Sequence, residues 1–347
     1  MRILVVGGNG FIGTPLVGEL RAAGHDVGVF HRKPDLSSNR GIAQIQGDRD
    51  RLPEYAAQLR RFAPEIMIDM ILSSGEQADQ LVNLAAELRA RVVAISSMDV
   101  YRAWGVLQGT EPGGLEPMPI TEDSPVRTVR RAYPPDVVET MKGIFTWLNT
   151  DYDKIAVEQA VMASRTGGTV VRLPMVYGPG DPLHRLHGIL KRIRDGRPAI
   201  LLAEDYAAWR GPRGYVENVA HAIALASVSA RAVGRIYHVS EEPSLSELEW
   251  QTKVAAETGW HGRWVVLPTR QTPKHLLMPG KWSQHLAASS ERIRQELAYK
   301  EPFPPQEAIR RTISWEQAHP PTGPTFHQFD YPAEDAALAQ AQSVASR

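Results

Sequence analysis

Three glycines stand at every third position in the run Gly7-Gly8-Asn9-Gly10-Phe11-Ile12-Gly13. The run separates an apolar stretch, Ile3–Val6, from a segment, Phe11–Ala23, whose apolar residues return at helical spacing. A glycine turn between a buried strand and a helix can hold a pyrophosphate. Glycines allow the tight turn and close backbone approach, and the helix start offers free N–H groups and a positive dipole end. The chemistry to expect is dinucleotide binding, with Gly7, Gly10, Phe11, Ile12 and Gly13 around the phosphates. The spacing is G-x-x-G-x-x-G rather than G-x-G-x-x-G, so its weight comes from its place on the first strand. The second strand, Asp26–His31, runs into His31-Arg32-Lys33. An NAD site usually carries Asp or Glu there, bonding both ribose hydroxyls. Three groups able to carry positive charge stand here instead, where a 2′-phosphate would lie. This favours NADP(H) over NAD(H), with Arg32 as the main phosphate partner. Asp48, after a third strand at Ile42–Gln46, is placed to meet the adenine.

These residues need a frame to position them. Glu65–Leu72 and Arg91–Ser96 read as two more strands, separated by a helix over Glu76–Arg89. Val157–Ala163 reads as helix and Thr169–Leu173 as strand. Strands alternating with helices imply an α/β fold, a Rossmann-type doubly wound parallel sheet with right-handed crossovers. The expected division is a dinucleotide-binding domain over 1–173 and a smaller C-terminal, mainly substrate-binding lobe over 174–347. In that lobe Leu183–Arg194, Val216–Ser227, Ser244–Thr258 and Ser289–Leu297 read as helices. Ala199–Leu202 reads as a short strand, and Arg235–Val239 as a strand returning to the main sheet. Residues 103–149, rich in proline and glycine, read as a long loop insertion, the length of a lid or binding loop. From about Pro320 the chain is Pro-rich and then Ala-rich, an ordered strap or a frayed tail. There is no internal repeat.

The chain has 347 residues, with 39 Lys plus Arg against 39 Asp plus Glu. A balanced charge argues against nucleic acid and against an anionic membrane surface as partners. The absence of cysteine excludes disulfides, thiolate catalysis and Cys-based metal centres, and suits a cytoplasmic protein. The N-terminal apolar run is too short for a signal peptide, and no run approaches a membrane span. His184 and His187 share a helix face without a carboxylate at matching spacing, so no metal site is expected. Ser97 lacks a G-x-S-x-G elbow, which removes it as a hydrolase nucleophile.

Four motifs in order give a resemblance: Gly7–Gly13; Ser96-Ser97-Met98-Asp99-Val100-Tyr101; Lys154-Ile155-Ala156-Val157-Glu158; and Arg172-Leu173-Pro174-Met175-Val176-Tyr177-Gly178-Pro179-Gly180. Together they resemble the extended short-chain dehydrogenases/reductases, the superfamily of sugar-nucleotide epimerases and dehydratases. The resemblance continues weakly through Arg213 to Ala220 and Ser290 to Tyr299. It implies a Ser/Thr that bonds the substrate oxygen and a Tyr that is the acid/base. It also implies a Lys that holds the nicotinamide ribose and lowers the Tyr pKa. Ser97 matches the Ser/Thr and Lys154 the Lys, and Pro174 joins the cofactor-binding set. The resemblance also implies a homodimer, pairing through the helices at Glu76–Arg89 and Ala156–Arg165.

The sequence departs from the pattern at one position. Four residues before Lys154, on the same helix face, stands Thr150 rather than Tyr. An aliphatic hydroxyl is too weak an acid to exchange a proton near neutral pH as a Lys-assisted phenol does. Tyr152 lies two residues before Lys154, roughly 200° away around a helix. It can take the role only if Asn149–Asp153 is not regular helix. Tyr101, Tyr133 and Tyr177 are other phenols for the nicotinamide end. Met175 replaces the Asn common before Val-Tyr-Gly-Pro in sugar-nucleotide enzymes. Tyr101, Met175, Tyr177 and Arg213 join Ser97 as candidate substrate contacts.

The leading expectation is hydride transfer with a small carbonyl or alcohol metabolite. The alternatives are epimerisation or dehydration of a nucleotide sugar through transient oxidation, and a non-catalytic cofactor-sensing or RNA-binding relative.

Overall fold

The computed structural model describes residues 1–32, 41–323 and 325–345. Its strands are β1 (Arg2–Val6), β2 (Asp26–His31), β3 (Ala43–Gln46), β4 (Ile66–Asp69), β5 (Arg91–Ser97), β6 (Gly168–Leu173), β7 (Met175–Tyr177), β8 (Ala199–Ala203), β9 (Arg213–Tyr215), β10 (Arg235–His238) and β11 (Arg263–Leu267). Its helices are α1 (Gly13–Ala22), α2 (Ala56–Phe62), α3 (Gly75–Leu88), α4 (Arg102–Gln108), α5 (Pro135–Ile144), α6 (Lys154–Met162), α7 (His187–Arg194), α8 (Glu204–Ala208), α9 (Val216–Val228), α10 (Glu247–Ala256), α11 (Glu291–Leu297), α12 (Pro305–Ala318) and α13 (Tyr331–Ala345).

Seven strands form a parallel sheet in the order β3-β2-β1-β4-β5-β6-β10. Alternation along β1 sorts its side chains between two apolar layers. Ile3 and Val5 face the layer that includes Leu16 and Val17 of α1 and Ile223 of α9. Leu4 and Val6 face the opposite layer, with Leu81 of α3 and Val157 and Val161 of α6. Helices on both faces explain why these strands read as continuous apolar runs. The strand order reverses beside β1, between β2 and β4. A crevice outside the carboxyl ends at such a switch point is where open parallel sheets take ligands. Two short parallel pairs, β7 with β9 and β8 with β11, lie outside the main sheet.

One expectation is corrected and another narrowed to its ordered alternative. The stretch read as a long loop, 103–149, contains most of α4 and all of α5. Pro135 opens α5 at its first turn, where the missing N–H costs nothing. The chain after Ala298 holds α12 and α13. The last is docked by Glu334, fully buried, against Arg192 at 2.6 Å. Among the described residues no helix is long and apolar enough to cross a membrane.

Candidate active site

The glycine turn is built closely. Gly7 adopts φ +79°, and its N–H donates to the Phe30 carbonyl at 3.0 Å, tying the turn to β2. A Cβ at Gly13 would stand 2.4 Å from the Gly7 oxygen, so only glycine fits. Helix α1 begins there with Ile12 at its cap, no side-chain cap and no acid in the first turn. The Thr14 N–H is already used, donating to the Gly10 carbonyl at 2.9 Å, and Pro15 has none, so it is the positive dipole end of α1 and the turn before it that suit an anion. His31 closes β2 with a buried ring whose two nitrogens lack partners among the described residues. The Cβ-excluding cradle and this orphaned imidazole fit a dinucleotide across β1 and β2. Arg32 is exposed beside it; Lys33 lies outside the described residues. Asp48 is exposed and caps the following turn, accepting from the Asp50 N–H at 3.1 Å.

The arrangement around Tyr152 follows from one cap. The Asp153 side chain accepts from the N–H groups of Ile155 and Ala156, at 3.0 and 3.1 Å. Helix α6 therefore starts at Lys154, and the stretch before it is not helical. This overturns the helix-face argument for Thr150, which is exposed and accepts from Lys142 Nζ at 2.7 Å. Tyr152 turns inward instead, its hydroxyl donating to Asp99 Oδ2 at 2.7 Å. Tyr133 donates to the same oxygen at 3.0 Å. Sequence reasoning passed over Asp99, which is buried and sits in the turn after β5. Its N–H donates to Ser97 Oγ at 3.1 Å, so Ser97, Asp99 and Tyr152 form one group. Burial, and then the Asp99 charge, push both phenols well above the usual tyrosine range.

Lys154 is buried beside them. Its ammonium donates to the Leu72 carbonyl and to that of Ile95 at 2.9 Å. Burial lowers its pKa to about 8, against the opposing charges of Asp99, Asp69 and Glu158. The Trp147 ring covers it, with its centroid 5.5 Å from Nζ. Thr146 Oγ1 accepts from Arg32 at 2.8 Å, and the Asn149 N–H donates to Ser73 Oγ at 2.8 Å. The Asp153 N–H donates to the Ser73 carbonyl at 2.9 Å. Residues 146–153 thus run along the carboxyl edge of the sheet from β2 to beyond β4, across the crevice.

The candidate substrate contacts divide. Tyr101 is a correction: it is fully buried, its hydroxyl bonds His238 Nδ1 at 2.9 Å, and its ring lies under Arg172. Met175, Tyr177 and Arg213 line a separate cavity of about 290 Å³ between α7, β8 and α10. Tyr177 donates to Glu241 at 2.8 Å, and Arg213 pairs with Glu247. Met175 also packs with the apolar group containing Met98 and Ile155, the chain neighbours of Ser97 and Lys154. Pro174 packs against β9, where a Cβ on Gly214 would meet its ring at 3.0 Å.

A family model, the NAD dependent epimerase/dehydratase family, matches residues 3–105 and 136–240. A 3-diazoavenalumate denitrifying reductase from Streptomyces sp is 26% identical over 319 residues, covering 88% of this chain and 97% of that protein. A 2-alkyl-3-oxoalkanoate reductase from Stenotrophomonas maltophilia is 27% identical over 275 residues, 75% of this chain and 76% of that one. The solved structure of the Bordetella bronchiseptica enzyme WbmG with NAD superposes with a TM-score of 0.66 at 17% identity. That alignment covers 92% of this chain and 94% of that one.

Proposed function

The chain belongs to the NAD dependent epimerase/dehydratase family, and on that premise we propose that it is a reductase using NADPH on a small carbonyl compound, with Tyr152 as the proton donor. One observation carries the reading: the Tyr152 hydroxyl is delivered by a non-helical stretch to Asp99, beside Ser97 and Lys154. A bound nicotinamide would supply hydride. The glycine turn and the α1 N-terminus would hold its pyrophosphate, and Lys154 its nicotinamide ribose. Trp147 is the side chain that such a ribose must meet on the way to Lys154.

Ser97 Oγ and the Tyr152 hydroxyl would share the substrate oxygen. As negative charge develops on that oxygen, the Tyr152 O–H turns from Asp99 Oδ2 to it and gives up its proton, and the Lys154 ammonium stabilises the phenolate left behind. Asp99 orients the phenol and, together with burial, keeps it protonated. A protonated phenol is the form that reduction needs, whereas oxidation would start from phenolate. The reductase relatives agree with this direction.

The test is NADPH consumption with a panel of aldehydes and ketones, with alcohol measured as product. Consumption by none of them would overturn the reading. Catalysis on a nucleotide sugar without net cofactor change would favour epimerisation instead. For cofactor choice, Arg32→Ala is expected to raise KM for NADPH about 10- to 100-fold, the worth of hydrogen bonds to a charged group, with KM for NADH unchanged. Equal change for both cofactors would assign Arg32 to holding Thr146 rather than to a 2′-phosphate.

A further inference from the structure

We propose that the cavity between α7, β8 and α10 takes an uncharged carbonyl compound with an apolar aryl or branched-alkyl body, and that the C-terminal segment 325–345 supplies the wall that selects it. The carbonyl in this statement rests on the reductase reading, since neither Ser97 nor Tyr152 lines the cavity. Met175 on its wall is what joins it to Met98 and Ile155, the chain neighbours of Ser97 and Lys154. The remainder, the apolar body, rests on the cavity.

Size is the first argument. About 290 Å³ lies at the lower end of ligand pockets, which run from ~300 Å³ upward. Charge is the second. Three arginines line the cavity, and each is already matched. Arg185 donates to Asp181 at 2.7 Å, Arg192 to Glu334 at 2.6 Å, and Arg213 to Glu247. His275 also faces Glu334, at 3.0 Å. His327 is held neutral at pH 7, because burial lowers its pKa to about 4. A diphosphate entering this wall would have to break ion pairs whose carboxylates are themselves buried. The uncompensated charge would be costly. An apolar body meets Leu186, Ile189, Ile200, Leu202 and Trp250 instead.

The wall itself is the third argument. Phe326, His327 and Gln328 line the cavity, and Glu334 fixes that segment to α7 through Arg192. Phe326 is 51% exposed, an apolar rim that a ligand would cover. These residues, with His275 and Leu276, lie beyond residue 240, where the family match ends.

The experiment is calorimetric titration of the 347-residue chain with 4-phenyl-2-butanone and, separately, with UDP. The ketone is expected to bind at least about tenfold more tightly, a 1.4 kcal/mol difference. Phe326→Ala, at a half-exposed position that leaves the fold intact, is expected to weaken ketone binding about fivefold. Tighter UDP binding, or no ketone binding, overturns the proposal. Unchanged binding in Phe326→Ala overturns the role of the C-terminal wall. Ketone binding without NADPH consumption upholds the cavity assignment and counts against the reductase reading alone, so the two failures are distinguishable.

Discussion

Tyr152→Phe is expected to lower kcat by about 10²- to 10⁴-fold, the usual contribution of a positioned general acid. The substitution keeps the ring, 5.9 Å from Lys154 Nζ, and removes only the hydroxyl that donates to Asp99. Cofactor affinity, read by fluorescence titration with NADPH, should therefore stay at the parental value. Thr150→Ala is the contrasting variant. Thr150 is exposed, so its loss should change kcat by no more than about twofold, as for ordinary surface substitutions. The opposite ranking of the two variants would return the catalytic role to Thr150. The pH profile adds a signature. Tyr152 stays protonated well past neutrality, whereas Lys154 loses its charge as pH rises through about 8. The ammonium is present below that value and stabilises the phenolate. Thus kcat/KM should be level below about pH 8 and fall above it.

The second large effect is on stability. Glu158, on α6, holds Arg172 of β6 with two hydrogen bonds, at 2.9 and 2.7 Å, and also accepts from Ser96 Oγ at 2.6 Å. Both charged side chains are buried, 3% and 7% exposed. Glu158→Ala leaves the guanidinium without its carboxylate and should cost about 3–5 kcal/mol, measured by equilibrium denaturation. Replacing both residues by methionine should recover most of that loss, since a buried pair is often no better than apolar side chains of like volume. Failure of the double variant to recover would mean that the network has a role beyond mutual neutralisation. The same helix begins with Lys154, one turn away, so the single variant should also lose activity under conditions where it remains folded.

Much of the scaffold was legible because parallel strands covered on both faces carry continuous apolar runs. β2 coincides with the stretch expected at Asp26–His31, and β6 with Thr169–Leu173 extended by one residue. Helix α5 was hidden because Pro134-Pro135 reads as loop punctuation, while proline at a helix start is also an opening signal. Thr150 was set on the Lys154 helix face by extending α6 backward, with Tyr152 open only if Asn149–Asp153 is not regular helix, as the structure has it. The signal against that extension was Asp153, a cap residue directly before Lys154. Asp99 carried no comparable signal. Nothing in a short turn after a strand says that its carboxylate points inward to meet two phenols donated from beyond residue 130. Tyr101 illustrates the converse, since an aromatic after β5 can serve the interior as well as a substrate, and here it bonds His238.

The place of β10 has a consequence for how the chain is made. β6 is buried along its whole length and lies between β5 and β10. Its outer side is completed late in the sequence, by β10 together with the Gly234 N–H, which donates to the Gly168 carbonyl at 2.7 Å, and the Ala232 carbonyl, which accepts from Thr169 at 2.7 Å. While the ribosome is still translating the residues between, β6 is an unpaired apolar edge, the kind of surface on which nascent chains associate wrongly. Release from that hazard comes only when residues 235–238 have cleared the exit tunnel. The later half of the chain thus closes the sheet that the earlier half begins, and timing during translation belongs to this fold as much as its packing does.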